Sequence, residues 1–327
     1  MGIIYDAVQE LKSLRGSSQV NLPPLTTWLR WIGEVQLEEA RYYQQWCEAC
    51  KMAQLFHWNG IRTFVLKGYV VSESYPKPEH RVSCDVDCFL LPEEGNFDAW
   101  DKGNRLIEEA GGEVEKVFYK NSTFRLPGLT VENHRFMVPF RGNGRLKQLE
   151  RWFQSQFKSL KVQEVQEVAR FKDSWLYRPP VMVSALFLIE HAYSHFLHEG
   201  LTWRHVLDWV MFSRKHKDEI DWKEFDSRID EFGFRKFYNS FSRLGLYLIG
   251  EVQEFNGLSV QDKQMLEDIW APLDVHESVR GFKGKLALVG NTWRARWKYR
   301  HFTNTTWFTA LWIQVKGFLF EKDPKLC

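Results

Sequence analysis

The sequence predicts an α+β chain, in which a helical segment precedes a mixed β-sheet domain and a helical bundle follows it. Three observations predict this class. Short apolar runs at 61–66 and 84–91, bounded by glycine and proline, have the length and punctuation of buried strands. Three further extended runs, at 114–119, 123–126 and 129–138, follow one another too closely for parallel crossovers, so the sheet is expected to be mixed. Beyond about residue 145 the pattern turns helical and strands are hard to find. These features divide the chain at 1–60, 61–145 and 146–327.

Residues 1–22 read as a helix and a polar linker, broken at Arg15-Gly16-Ser17-Ser18, and Pro23-Pro24 restarts the chain. From Thr26 to Asn59 apolar residues recur at helical spacing, among them Leu29, Val35, Leu37, Tyr43, Trp46, Ala53 and Phe56. Asn59-Gly60 closes this helix through a left-handed turn. Strand 61–66 enters a tight turn at Lys67-Gly68, and a short helix over 68–75 ends at Pro76 and Pro78. Strand 84–91 stops at Pro92. Asn96 is read as the cap of a helix from Phe97 to Ala110, which Gly111-Gly112 terminates. Pro127-Gly128 marks a turn between two of the extended runs. In the second half Pro179-Pro180 opens a long apolar helix, Met182 to Leu197. Further helices are expected at 202–216, 222–232, 235–250, 259–268 and 304–320.

The formal net charge of +2 gives no global electrostatic case for a nucleic-acid partner. The 25 Phe and 15 Trp point to large helix-packing surfaces. The first nine residues lack the basic region and apolar core of a signal peptide. The apolar stretch 306–320 is interrupted by Gln314 and Lys316 and is too short to span a membrane. Five cysteines without a spaced framework argue against a secreted disulfide protein, so the expected location is the cytoplasm. Cys47-x-x-Cys50 has no second pair and is not read as a zinc or redox motif, and Cys84 and Cys88 are expected to pack behind their strand. The run Arg294 to His301 interleaves basic and aromatic residues, a pattern able to stack on bases. A solvated amphipathic connector is the plainer reading, and nucleic acid is not favoured.

The chemistry concentrates around Phe64-Val65-Leu66-Lys67-Gly68 and Ser83-Cys84-Asp85-Val86-Asp87-Cys88. In a strand, residues i and i+2 share a face, so Asp85 and Asp87 are expected to project together. Two carboxylates on an otherwise apolar strand need a neutralising cation, and Mg2+ or Mn2+ suits oxygen ligands. Removing one of two repelling carboxylates is then expected to leave stability near that of the wild type or to raise it. Gly68 lets backbone N–H groups approach a phosphate, with Lys67 as a point charge beside it. Arg81, by a bidentate contact, and Ser83, with Ser72 behind it, are further phosphate candidates. Arg81 could instead pair with an aspartate. Glu132 and His134 share a face of a later run, Glu132 as a third carboxylate and His134 as a substrate contact or a group that orders it.

This order of motifs resembles the polymerase-β-like nucleotidyltransferase superfamily, and more closely a bacterial family of uncharacterised nucleotidyltransferases. The resemblance rests on Leu66-Lys67-Gly68, Tyr75-Pro76, Pro78, Arg81, Asp85-Val86-Asp87, Glu132-Asn133-His134 and the helical His191-x3-His195, over roughly residues 45–215. It departs from the superfamily at the turn, where Lys67-Gly68 stands in place of Gly-Gly or Gly-Ser. The resemblance implies a nucleotidyltransferase fold that uses Mg2+ (or Mn2+) and an NTP, ATP foremost. It implies that Asp85, Asp87 and Glu132 are metal ligands and that a nucleoside monophosphate moves to an acceptor hydroxyl. The acceptor, whether small molecule, sugar, tRNA or protein, stays open. A catalytically silent module on the same fold is the alternative of a different class.

His191 and His195 lie on one helical face, about 40° apart. Arg204 and Asp208 repeat the spacing on the next helix. The preferred reading is a buried polar network docking the bundle on the sheet domain. Substrate contact is a second reading. A zinc hydrolase with Asp208 or Glu190 completing the ligands is a third, although Ala192 stands where a zinc protease has glutamate.

Overall fold

The computed structural model describes residues 2–13, 23–83, 85–116, 119–160, 166–168, 173–252, 257–270 and 293–320. The chain forms two compact units, one of residues 1–135 with 161–179, the other of residues 136–160 with 180–327. The expected α+β class is what the structure has: a six-stranded mixed sheet in the first unit and helices in the second.

In the first unit α1 (Gly2–Ser13) and the long α2 (Leu25–Trp58) precede β1 (Ile61–Val65), the one-turn α3 (Tyr69–Ser72) and β2 (Val86–Pro92). Helix α4 (Ala99–Glu109), β3 (Glu113–Glu115), β4 (Asn121–Leu126), β5 (Leu129–His134) and the two-residue β6 (Leu176–Tyr177) complete it. The strand order is β3-β4-β5-β2-β1-β6. The β1–β2, β3–β4 and β4–β5 pairs are antiparallel, whereas β2–β5 and β1–β6 are parallel.

One face of the sheet is covered by helices for a reason written in the residues. Tyr42, Trp46, Ala49, Ala53 and Phe56 form an i, i+4, i+7, i+11, i+14 stripe along α2 and are buried. They pack with Val65, Val86, Cys88, Leu90, Phe124 and Val131 of the strands in one core. Leu29, Leu37 and Tyr43, read from the sequence as part of this stripe, are exposed; Val35, also read as part of it, is buried, together with Trp28 and Tyr42. Cys88 is buried behind its strand as expected, and Cys84 lies outside the described residues.

The cap of α4 is Asp98, not Asn96: its carboxylate accepts the Asp101 N–H at 3.0 Å. Alternation along β2 and β5 sends Val86, Cys88 and Val131 to the helical face and leaves Asp87, Glu132 and His134 for the other.

The second unit comprises α5 (Gly144–Lys158), α6 (Val181–His198), α7 (Trp203–Lys215), α8 (Trp222–Glu231), α9 (Arg235–Leu248) and α10 (Val260–Trp270). Helices α11 (Arg296–Phe302) and α12 (Trp307–Phe320) follow. No helix among the described residues is long and apolar enough to cross a membrane. The basic run 294–301 differs from a solvated connector in one respect. Lys298 is fully buried, giving hydrogen bonds to the Phe196 carbonyl at 2.7 Å and to Asp268 at 2.8 Å. Arg294, Arg296 and Arg300 stay exposed.

Candidate active site

The parallel pairing of β2 with β5 sets Asp87 opposite Glu132. Neighbouring positions in register put both side chains on one face, and i, i+2 alternation adds His134 to it. Ligand atoms of Asp87, Glu132 and His134 all lie within 4.8 Å of one another. The end of β1 supplies the balancing charge. The Leu66 N–H donates to the Asp87 carbonyl at 2.9 Å, which fixes Lys67 beside this aspartate. The Lys67 Nζ then reaches Asp87 Oδ2 at 3.1 Å. On the other carboxylate oxygen, His134 Nε2 approaches Asp87 Oδ1 at 3.0 Å and Glu132 Oε2 at 3.5 Å. Asn121 donates to Glu132 Oε2 at 3.2 Å.

Burial separates the carboxylates. Asp87 is 1% exposed, whereas the Glu132 side chain is 36% exposed. Burial works against the charge on Asp87, but Lys67 and His134 outweigh it and hold the carboxyl well below its usual range. The hydrogen bond from His134 lowers Glu132, against burial and the repulsion of Asp87. Burial and Lys120 disfavour a charged His134, yet its bonds to the two carboxylates raise it. Lys67 is raised in the same way: burial opposes its charge, and Asp87, Asp85 and Glu132 prevail.

Asp85 is placed differently from Asp87. It stands one residue before β2 and is partly exposed, and its charge acts on Lys67. Gly68 caps α3 with φ +69°, a conformation that L side chains rarely adopt. A Cβ there would meet Ser83 Oγ at 3.3 Å and the Asp85 carbonyl at 3.6 Å. The turn thus lies directly against the segment leading into β2. Ser83 spends its hydroxyl proton on that same carbonyl at 2.9 Å. Arg81 is buried at the end of a short 3₁₀ turn, Pro78–His80. Ser72 is buried, donating to the Tyr69 carbonyl at 2.7 Å and lying 3.2 Å from the Tyr42 hydroxyl, so it serves the core rather than a phosphate.

The donor set fits a hard divalent cation. Asp87 and Glu132 bring carboxylate oxygens within 4.8 Å of each other, and Lys67 and His134 already balance part of their charge, so a bound ion would take the place of at least one of these contacts. His134, as a hydrogen-bond donor to both carboxylates, orders them.

The helical unit gathers a second group. His191 and His195 of α6 lie with His205 of α7, their ligand atoms within 4.8 Å of one another and each residue half-buried. Arg204 is half-buried and Asp208 buried on α7. Sequence reasoning missed His205. Its signal was Thr202-x-x-His205, the spacing of a capping box, and both bonds of that box are present.

No curated protein and no solved structure matches the chain. A family model described as an uncharacterised nucleotidyltransferase matches residues 7–248, a span that holds the Lys67-Gly68 turn, both strands of the carboxylate pair and the His191-x3-His195 helix, and the chain belongs to that nucleotidyltransferase family.

Proposed function

We propose that the chain moves a nucleoside monophosphate from an NTP, ATP in the first instance, to an acceptor hydroxyl, in a Mg2+-dependent reaction (or one using Mn2+). Asp87 and Glu132, with Asp85 at the rim, would hold the ion, which supplies charge neutralisation at the phosphates. The acceptor oxygen bonds to the α-phosphorus while the bond from that phosphorus to the β-phosphate bridging oxygen breaks, releasing pyrophosphate. Glu132, the more exposed carboxylate, takes the hydroxyl proton. The Gly68 turn receives the triphosphate, with Lys67 and Arg81 around it, and Ser83 joins them when its hydroxyl turns away from the Asp85 carbonyl. Rate comes mainly from positioning and from charge already in place. The acceptor, whether small molecule, sugar, tRNA or protein, is chosen by contacts outside this set.

The observation that carries the reading is the register of Asp87 opposite Glu132, with Lys67 and His134 in ion-pair range, in a chain of a nucleotidyltransferase family. Incubating each α-labelled NTP with Mg2+, the protein and cell extract tests it. One extract fraction should take up label with wild type and none with Asp87→Asn or Glu132→Gln. Equal labelling by those variants overturns the assignment.

One observation favours a second reading. Lys67 and His134 already neutralise Asp87 without an ion, as a silent module on this fold would require. Calorimetric binding of Mg–NTP to wild type, lost in Asp87→Asn, separates an enzyme from such a module.

A further inference from the structure

His191, His195 and His205 of the helical unit take no part in the proposed transfer, and their geometry is that of a ligand set. His191 and His195 sit one helical turn apart on α6, and their ring centroids are 4.4 Å apart. Gly200, with φ +104°, lies between α6 and α7. Two residues into α7, the His205 ring lies 4.8 Å from that of His195 and 5.7 Å from that of His191. Ligand atoms of all three fall within 4.8 Å of each other. In a tetrahedral zinc site, Zn–N bonds of about 2.0–2.1 Å put the nitrogens roughly 3.4 Å apart. The ligand atoms have up to about 1.4 Å to close to reach that spacing. A fourth group completes the pattern: Glu199 Oε2 lies 2.8 Å from His195 Nδ1. A carboxylate there fixes the tautomer that leaves Nε2 its lone pair, which is the usual outer-shell partner of a metal-bound histidine.

We infer that His191, His195 and His205 form a binding site for a borderline-soft divalent transition ion of the Zn2+ class, independent of the oxygen-donor site in the sheet unit. Imidazole nitrogens suit Zn2+ and its neighbours, and Mg2+ avoids them. Three protein ligands leave one position for water or for an anionic oxygen of a small ligand. His205 Nδ1 accepts the Thr202 N–H at 3.1 Å, so its Nε2 carries the proton in the neutral ring. Ligation therefore requires His205 to leave the capping box. Loss of one helix cap weakens binding by roughly fivefold, much less than a third imidazole contributes.

The test is zinc titration of the full, chelator-stripped chain in excess Mg2+, with Mg2+ saturating the carboxylate site. Wild type and Asp87→Asn should each bind one equivalent and gain thermal stability. His205→Gln keeps a side chain suited to the capping box and removes the ligand. His191→Phe keeps the ring packing against Phe187, which lies 5.8 Å from His191. Both variants should bind zinc at least 100-fold more weakly, with the four-coordinate visible spectrum of the Co2+ form lost. If either variant fails to fold, the other carries the comparison. No stoichiometric zinc in wild type, or unchanged affinity in a folded variant, overturns the inference. Neither result touches the transferase reading, which is measured with Mg2+ alone.

Discussion

At Asp87, Lys67 approaches one carboxylate oxygen and His134 the other. This geometry reverses a sign. Taken as a repelling pair, either aspartate should be replaceable without loss. Asp87→Asn instead strands a half-buried ammonium and a buried imidazole, and should cost about 3 kcal/mol, at the low end for a broken buried pair because Lys67 is partly exposed and Asp85 and Glu132 still act on it. Chemical denaturation in chelator would measure it, and wild-type stability would refute the pairing. Lys67→Ala should destabilise similarly and weaken NTP binding, and adding Mg2+ should raise its melting temperature more than that of wild type. The pH dependence follows from His134. Its folded pKa is raised, so its contribution is fully present below its unfolded value of about 6.5 and is lost as pH rises through the folded value. Metal-free wild type should therefore melt lower at about pH 9 than at about pH 6, with the difference reduced in His134→Gln.

At the scale of elements, α4 lies close on β2. A Cβ on Gly103 would come 2.3 Å from Leu90 Cδ1, so Gly103→Ala must turn the end of that leucine side chain aside within the core. A loss of about 1 kcal/mol, read from the denaturation midpoint, is expected, at the low end of overpacking costs because a side-chain end and not the strand has to move. Gly68→Val adds backbone strain at positive φ to contact with Ser83, and should lower both stability and NTP affinity. Most elements were legible because their periodicity is strong: α2, β1, β2 and α6 through α10 fall within a few residues of their predicted bounds. Helix α5 was readable and went unread, since Leu149, Phe153 and Phe157 recur every fourth residue and Asn143 caps them. Strand β6 has two residues, and a pairing that short leaves no period to detect. Asp87 and Glu132 were legible as carboxylates, but their register was not, because parallel pairing of distant strands is set by the whole sheet. His205 was hidden because it becomes a neighbour of His191 and His195 only when two helices fold back on each other.

For the whole molecule, the matched family span ends at 248, yet described residues beyond it, in α10 and α11, are built into the helical unit. Lys298 ties α11 to Asp268 of α10 and to the Phe196 carbonyl of α6, and Phe302 and Trp297 pack around Phe196 with ring centroids 5.0 and 5.8 Å away. A chain truncated after residue 252 should expose this aromatic cluster, and should bind a hydrophobic dye and sediment as aggregate where the full chain does not. Within the full chain, Lys298→Ala should cost about 3–5 kcal/mol by leaving Asp268 without its buried partner.

The register of β2 against β5 also dictates an order of events in time. Lys67, two residues past β1, and Asp87 of the antiparallel neighbour β2 meet across 20 residues, while Glu132 is 45 residues further along and joins by parallel pairing. Loop closure delays the second contact relative to the first. The nascent sheet thus acquires the counter-ion of its first carboxylate before the second carboxylate arrives to repel it. Asp87→Asn should accordingly slow refolding, and Glu132→Gln should mainly change the rate of unfolding, in stopped-flow measurements made without metal.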